Sequence, residues 1–333
     1  MLMKKAAFLG NDTIDRVYGM GRQQRVAEIT DLYPVRVADE ILSEHLAELK
    51  DVEAIFTTWG FPALNDEILD QLPALKIVLY AAGSVKFFAV PMLKRGISVV
   101  SGRVPNGTAV ARFTCAQICL ACKGYFVNAR AYSEPGGRQA YMDPRRGLGF
   151  FGETVAILGL GAVGRQVAAQ ITEESMTVMA VDPTVSEVEA RELGVELVSV
   201  EEAFEKAYVV TNHLPNLESL QSIIGEGYLR SMRENATFIN TGRGGQVDQQ
   251  GLVRAMRDRP DLTALLDVTV PEPLPDESEL FTLPNVTLTT HIAGALGNEV
   301  VAMADFVIDE FLRWQDGKPL SDPIRLEDLD SMA

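Results

Sequence analysis

Cysteine is scarce in this 333-residue chain: Cys115, Cys119 and Cys122 are the whole supply. An odd, closely spaced trio is not the framework of a disulfide-stapled secreted domain. Spaced i, i+4 and i+7 on one expected helix, the three share a face and read as small packing groups. A metal site would need a further ligand and none stands near, so no metal is expected. Basic residues are outnumbered, 30 against 46 acidic ones, for a net charge of −16. That balance excludes the basic footprint of a nucleic-acid or anionic-membrane partner. No apolar run approaches the roughly 18 residues of a membrane span. The apolar stretch near the N-terminus stops after five residues, too short for a secretory signal, so a cytoplasmic location is the default expectation. What remains, 47% hydrophobic and 23% charged, is a globular composition with room for two domains.

The most informative stretch is Val155-Ala-Ile-Leu-Gly159-Leu-Gly161-Ala162-Val163-Gly164-Arg-Gln-Val. It reads as a buried strand, a tight turn and a helix over 165–175. Gly159 permits the sharp turn, Gly161 lets backbone approach a pyrophosphate, and Gly164 lets helix and strand pack closely. The helix start offers unpaired N–H groups and a positive dipole end to phosphates. A second strand, Met176–Asp182, ends in a carboxylate where a dinucleotide fold places its ribose-binding acid. Asp182 would accept hydrogen bonds from a ribose 2′-OH and repel a 2′-phosphate, so NAD is the expected cofactor.

Two series of βα units surround this motif. The first has strands expected near 4–9, 33–37, 52–58, 76–81 and 97–101, with helices such as Asp39–Leu49 and Asn65–Leu72. The second has strands near 154–159, 176–182, 195–199, 207–212, 236–241, 263–268 and 286–290. Short runs rich in Val, Ile, Leu and Thr suit parallel strands buried on both faces, and alternating βα units argue for doubly wound sheets. Between the series a long helix is expected over Thr108–Arg130, followed by an irregular arm, Ser133–Gly149. An amphipathic helix over Asn298–Gln315 closes the pattern.

Ligands of open α/β sheets bind beyond the carboxyl ends of the strands. Three such ends carry reactive groups: Arg243 in a glycine-rich loop, Asp267 with Glu272, and His291. Reduction of a carbonyl by hydride needs a cation to hold the substrate, a general acid for the new alkoxide, and a group to keep that acid charged. Arg243, His291 and Glu272 suit these roles chemically. The chain has only three histidines. His45 lies in a polar helix and reads as a solvated surface residue. His213 and His291 both follow strands, and position alone leaves them close competitors.

The chain resembles the D-isomer-specific 2-hydroxyacid dehydrogenase family over nearly its whole length. Asn240-Thr241-Gly242-Arg243-Gly-Gly-Gln-Val247-Asp248 is similar to the family's arginine signature. Asp267-Val-Thr-Val-Pro-Glu272-Pro-Leu is similar to its glutamate signature, and Leu283–Gly294 to its histidine signature. The resemblance implies that Arg243 binds the substrate carboxylate and carbonyl, that His291 is the acid/base, and that Glu272 pairs with it and raises its pKa. Asp267 would lie near the nicotinamide carboxamide. Thr241, Gly242 and Gly294 would touch the cofactor, with Asn212-His213-Leu-Pro215 beside it. Ala82, Gly83 and Ser84, after strand 76–81, match the position of the family's carboxylate-binding loop, although Val85-Lys86-Phe87-Phe88 departs from its usual pattern. Trp59 is either a pocket wall or a core residue. Arg112 stands where relatives commonly carry an acid.

The implied architecture is two doubly wound parallel-sheet α/β domains, a Rossmann-type NAD domain (105–304) inserted into a flavodoxin-like substrate domain (1–104 with 305–333). The implied function is hydride transfer between NAD(H) and a 2-hydroxy/2-oxo acid pair, D-specific, of glyoxylate, hydroxypyruvate or phosphoglycerate type, by a homodimer joined through 105–150. The alternatives are an NAD-sensing co-repressor-like binding protein on the same fold and a formate dehydrogenase. The second carries glutamine where Glu272 stands.

Overall fold

A computed structural model describes residues 3–133, 135, 137–139 and 147–329. The chain divides into two compact units, Met1–Gly107 with Ala295–Met332, and Thr108–Gly294.

The first unit holds a five-stranded parallel sheet in the order β2-β1-β3-β4-β5. Its strands are β1 (Lys5–Phe8), β2 (Asp31–Leu32), β3 (Ala54–Thr57), β4 (Ile77–Tyr80) and β5 (Ser98–Ser101). Every residue of β3 and β4 is buried, as central parallel strands covered on both faces require. One face packs Ile55, Val78 and Tyr80 against Leu42, Leu46 and Leu49 of the helix Leu42–Leu49. The other packs Phe8, Phe56 and Leu79 against Tyr18 and the helix Val300–Gln315. That helix buries Val300, Met303, Ala304, Val307, Ile308 and Phe311, the i, i+3, i+4, i+7 stripe of an amphipathic helix. Edge-to-face ring pairs knit the layer, with Phe56–Phe311 centroids 5.2 Å apart and Phe8–Tyr18 centroids 5.0 Å apart. The buried Tyr18 hydroxyl donates to the carbonyls of Thr57 (3.1 Å) and Leu79 (3.3 Å), so that hydroxyl is not stranded.

The second unit holds seven parallel strands in the order β12-β11-β10-β9-β6-β7-β8. They are β6 (Thr154–Leu158), β7 (Thr177–Val181), β8 (Glu196–Leu197), β9 (Val209–Asn212), β10 (Thr237–Asn240), β11 (Thr263–Leu266) and β12 (Val286–Leu288). Counted within the unit, the order is 3-2-1-4-5-6-7, a doubly wound dinucleotide-binding arrangement whose direction reverses between β6 and β9. Alternation along the strands feeds two cores. Ala156, Leu158 and Phe238 face Phe204, Leu252 and Met256, while Val155, Ile157 and Ile239 face Ile118, Val167 and Ile171. The two α/β domains with parallel sheets expected from the sequence are what the chain forms.

Some local expectations need correction. The strand expected over 33–37 is only Asp31–Leu32 plus an isolated Leu9–Val37 bridge, because Pro34 cannot donate to a ladder. The helix expected over 108–130 is two helices, Arg103–Cys122 and Tyr125–Ser133, parted at Gly124 in the left-handed region (φ +68°). The helix after the glycine turn begins at Ala162, three residues earlier than expected, and runs to Glu173. His45 is not simply solvated: it is half-buried, with Nδ1 2.8 Å from the Tyr33 hydroxyl. Of the arm expected over Ser133–Gly149, residues 134, 136 and 140–146 lie outside the described residues. The three cysteines pack as one helix face, and burial pushes the Cys115 and Cys122 thiols up to about 12, which removes thiolate reactivity. Among the described residues no helix is long and apolar enough to cross a membrane.

Phe311→Ala should cost about 3–5 kcal/mol, the usual loss for emptying an aromatic site in a packed core. Urea unfolding of the whole chain measures it, and a loss under about 1 kcal/mol would show that this helix is not integral to the first unit.

Candidate active site

The glycine turn sits at the carboxyl end of β6, beside the point where the strand order reverses. Gly159 is left-handed (φ +91°), and a Cβ there would lie 2.8 Å from the His213 carbonyl oxygen. A Cβ on Gly164 would overlap the Gly159 carbonyl, so helix and turn meet only because both residues lack side chains. At Gly161, by contrast, a Cβ would meet nothing within 4 Å. Open space therefore lies at the start of the 12-residue helix Ala162–Glu173, where Ala162 and Val163 form its first turn. A diphosphate fits the donors and the space of such a helix start. Asp182 follows β7; its carboxylate accepts from the Leu160 N–H (2.7 Å) and from Thr184 N (2.9 Å) and Oγ1 (2.6 Å). It thus fixes the glycine turn, with lone-pair capacity left for a ribose hydroxyl.

The second cluster forms where β10, β11 and β12 end side by side. Asp267, directly after β11, is 2% exposed, and its carboxylate collects three donors. Oδ1 accepts from Thr289 Oγ1 (2.6 Å) and Ile292 N (2.8 Å), and Oδ2 from Ala293 N (2.8 Å). The Asp267 carbonyl accepts the His291 N–H at 3.0 Å. Together these bonds bend the chain through His291, which stands in the left-handed region at φ +56°. That conformation costs a side-chain-bearing residue about 1–3 kcal/mol, and the surrounding bonds offset it. Gly294 closes the bend.

The bend presents the imidazole to Glu272: His291 Nδ1 lies 2.6 Å from Glu272 Oε1, with both side chains about half exposed. A carboxylate only accepts, so Nδ1 carries the proton of this contact, and Nε2 has no hydrogen bond among the described residues. Arg243 follows β10 in a loop where Thr241 is fixed by Thr114 (Oγ1 to Oγ1, 3.0 Å). Its Nη1 donates to the Gly242 carbonyl at 2.8 Å. Burial lowers the Arg243 pKa below its ordinary value, and the Glu272 charge opposes that shift. Among the described residues Arg243 forms no ion pair, which leaves its charge to an outside anion. Such a guanidinium takes carboxylate and carbonyl oxygens bidentately.

His213 stands apart from this cluster. Its N–H is bound to the Leu158 carbonyl (2.8 Å) and its Nε2 lies 3.0 Å from Thr211 Oγ1. Burial without a charged partner pushes its pKa down to about 3, so at neutral pH it holds no proton to give. The two histidines thus differ in their surroundings: His213 has a hydroxyl beside it, His291 a carboxylate. In the first unit, Ala82, Gly83 and Ser84 follow β4, with the Ala82 and Gly83 carbonyls accepting from Ser101 Oγ. Trp59, after β3, packs against both cores of that unit with the Arg16 guanidinium 5.7 Å from its ring centroid.

Three residues that the sequence motifs include, but to which sequence reasoning gave no part in the Arg243 loop, organise it: Asn212, Asn240 and Gln246, each at most 1% exposed. The signal was present, because Val-Val-Thr-Asn212 and Thr-Phe-Ile-Asn240 each end an apolar strand in an amide. A buried amide must have partners.

A parallel-sheet domain with an open helix start, and with a cation and a carboxylate-paired imidazole on neighbouring strand ends, defines a dinucleotide-dependent oxidoreductase. Comparison narrows the class. The profile of the D-isomer specific 2-hydroxyacid dehydrogenase NAD binding domain matches residues 126–293. A glyoxylate reductase of Korarchaeum cryptofilum is 31% identical over 278 residues, 82% of each chain. A D-3-phosphoglycerate dehydrogenase of Methanocaldococcus jannaschii is 29% identical over 284 residues, covering 84% of this chain but 53% of that longer one. Among solved structures, apo D-mandelate dehydrogenase of Rhodotorula graminis shares the fold, with a TM-score of 0.80 at 23% identity over 97% of both chains. The chain belongs to the D-isomer specific 2-hydroxyacid dehydrogenase family. It is an NAD-dependent oxidoreductase acting on a 2-hydroxy/2-oxo acid pair.

Below pH 6.5 the unfolded chain takes up a proton at residue 213 that the folded protein accepts only near pH 3. Stability therefore falls as pH drops through that window, since the unfolded state binds more protons. His213→Asn should lose less stability between pH 7 and pH 5 than the parent does, as read by urea unfolding at both values. An equal loss in the two proteins would show that His213 is not a neutral buried group.

Proposed function

We propose that this enzyme reduces a 2-oxo acid to its D-2-hydroxy acid with Arg243 as anchor, His291 as general acid and Glu272 as its partner. The observation that carries the reading is the 2.6 Å Glu272–His291 pair on the strand end next to the unpaired Arg243. NADH, when bound, supplies the hydride to the carbonyl carbon. Arg243 holds the substrate carboxylate and polarises the carbonyl oxygen. His291 Nε2–H gives its proton to that oxygen as the C=O π pair becomes an alkoxide, and the Glu272 carboxylate steadies the imidazolium until then. In the oxidising direction the neutral imidazole takes the hydroxyl proton back.

The residues assigned to the cofactor are Gly159, Gly161, Ala162, Val163 and Gly164 for the pyrophosphate, and Asp182 for the adenosine ribose. His213, Pro215, Thr241, Gly242, Asp267 and Gly294 are assigned to the nicotinamide half. Asp267 retains one acceptor position beyond its three internal bonds, as a carboxamide N–H requires. Ala82, Gly83 and Ser84 are assigned to the substrate carboxylate, with the backbone N–H groups of Gly83 and Ser84 as donors because that of Ala82 donates to the Tyr80 carbonyl (2.8 Å), and Trp59 to the wall of the substrate site. The similar proteins are named for glyoxylate, 3-phosphoglycerate and mandelate. Glyoxylate, hydroxypyruvate, phosphohydroxypyruvate and phenylglyoxylate, each with NADH and NADPH, are therefore the panel that defines the substrate.

His291→Ala should lower kcat by about 10²–10⁴, the usual contribution of a general acid. Arg243→Ala should lower kcat/KM for the 2-oxo acid about ten- to hundredfold, the equivalent of one charge-assisted contact, while NADH still binds. Parental kinetics in either variant would remove that residue from the reaction.

We also infer a cytoplasmic homodimer joined through 105–150. Its support is a set of large apolar side chains left exposed on that segment and next to it: Leu120, Tyr125, Tyr132, Leu148 and Phe151, the last 90% exposed. Free thiols suit a reducing compartment. Light scattering should give twice the chain mass of 36.4 kDa for the parent and a smaller mass for Tyr125→Asp/Phe151→Asp. A monomeric parent, or recovery of the protein outside the cytoplasm on cell fractionation, would overturn these inferences.

A further inference from the structure

Gln246 is fully buried in a loop and spends its whole carboxamide on two neighbouring segments. Its Nε2 donates to the carbonyls of Leu214 (2.8 Å) and Pro215 (2.7 Å). Its Oε1 accepts from Asn212 Nδ2 (2.7 Å) and from the Arg243 main-chain N–H (3.2 Å). Two further amides complete the web. Asn212 Nδ2 also donates to Asn240 Oδ1 (3.0 Å), and Asn212 Oδ1 accepts the Leu214 N–H (3.2 Å). Asn240 Oδ1 accepts the Gly242 N–H (3.1 Å) while its Nδ2 donates to the Arg243 carbonyl (3.2 Å). Each donor faces an acceptor, so the orientation of all three amides is fixed by their partners.

Both main-chain groups of Arg243 are thus held by side-chain amides, and only Gln246 reaches from there to the carbonyls of the 214–215 loop. A Cβ on Gly242 would stand 3.1 Å from Gln246 Oε1, which leaves the loop little room for another path. An aliphatic residue of similar size would fill the same volume, take these partners from the Leu214 carbonyl and the Arg243 N–H, cost Asn212 Nδ2 one of its two acceptors, and leave the Pro215 carbonyl only the Leu217 N–H. Such groups recover partners by moving, and here the moving part carries the guanidinium.

We propose that Gln246 is a positioning residue: its carboxamide ties the Arg243 turn to the Leu214–Pro215 loop at fixed spacing and so sets where the guanidinium meets the substrate. The proposal rests on the reading of Arg243 as substrate anchor and goes beyond it by assigning a residue that touches neither substrate nor cofactor. The pyrophosphate and the adenosine ribose are assigned to the glycine turn and Asp182 at the other side of the unit's reversal point, so most of the NADH contacts proposed above lie away from Gln246, and only the nicotinamide half adjoins its web.

The test uses the full chain with oxamate, a 2-oxo acid mimic, titrated into the enzyme–NADH mixture and followed by nicotinamide fluorescence. Gln246→Leu should raise the oxamate Kd about tenfold and leave the NADH Kd within about threefold. Gln246→Glu keeps the acceptor oxygen but, ionised, faces two carbonyls; protonated, it regains one donor. Its oxamate Kd relative to the parent should therefore improve from pH 8 to pH 5. A purely structural role would lower the unfolding midpoint without this split. Parental oxamate affinity in a folded Gln246→Leu, or a Gln246→Glu deficit that is the same at pH 5 and pH 8, would overturn the proposal. If Gln246→Leu does not fold, the Gln246→Glu ratio decides alone. An Arg243→Ala control separates the two readings: parental oxamate binding there would indict the anchor assignment and not the strut.

Discussion

The catalytic corner depends on one buried carboxylate. Asp267 takes an alcohol and two amide donors on its side chain and a third amide on its carbonyl, and these come from consecutive parts of the segment 289–293. A negative charge surrounded by apolar strand ends is expensive unless N–H and O–H groups replace its water shell. The segment supplies that shell, and in exchange its own backbone is locked into a left-handed step that places an imidazole against Glu272. Substitution of Asp267 by a residue that cannot accept would release the whole bend and not just one bond.

Electrostatics assign the chemistry. The chain carries a net charge of −16, yet the reactant it must hold is an anion. In the function proposed above that attraction is local: Arg243 is half-buried and forms no ion pair among the described residues, so its field acts through protein more than through screened solvent. The same principle divides the two histidines. His213 is enclosed with a hydroxyl and no charge, and its pKa is lowered; His291 faces a carboxylate at the surface. Identical side chains after two strands of one sheet, with two further strands between them, meet different surroundings.

Much of this was legible in the chain. The glycine spacing, the terminal Asp182 and the short aliphatic runs follow from constraints on local geometry, and the second sheet formed near its expected positions. What was not legible depended on contacts distant in sequence. Pro34 ended a strand whose composition promised more, and Gly124 split a helix whose periodicity ran through it. The histidines were a tie because position reports nothing about desolvation. Asn212, Asn240 and Gln246 lay within quoted motifs, but their bridging role was hidden because an amide in a loop is ordinary until the loops it bridges are known to be adjacent. The Asp267 web was hidden for the same reason: its partners lie 22 to 26 residues downstream.

The first unit is discontinuous in the chain, with the second inserted between residues 107 and 295. The aromatic face formed by Phe8, Tyr18 and Phe56 is covered by a helix that begins only at Val300. During synthesis the ribosome therefore releases the inserted unit complete while the N-terminal sheet still lacks one cover. Nascent chains of this enzyme carry an uncovered aromatic surface until residues 300–315 have been made and have left the ribosome, an interval in which such a surface is open to aggregation or to chaperones.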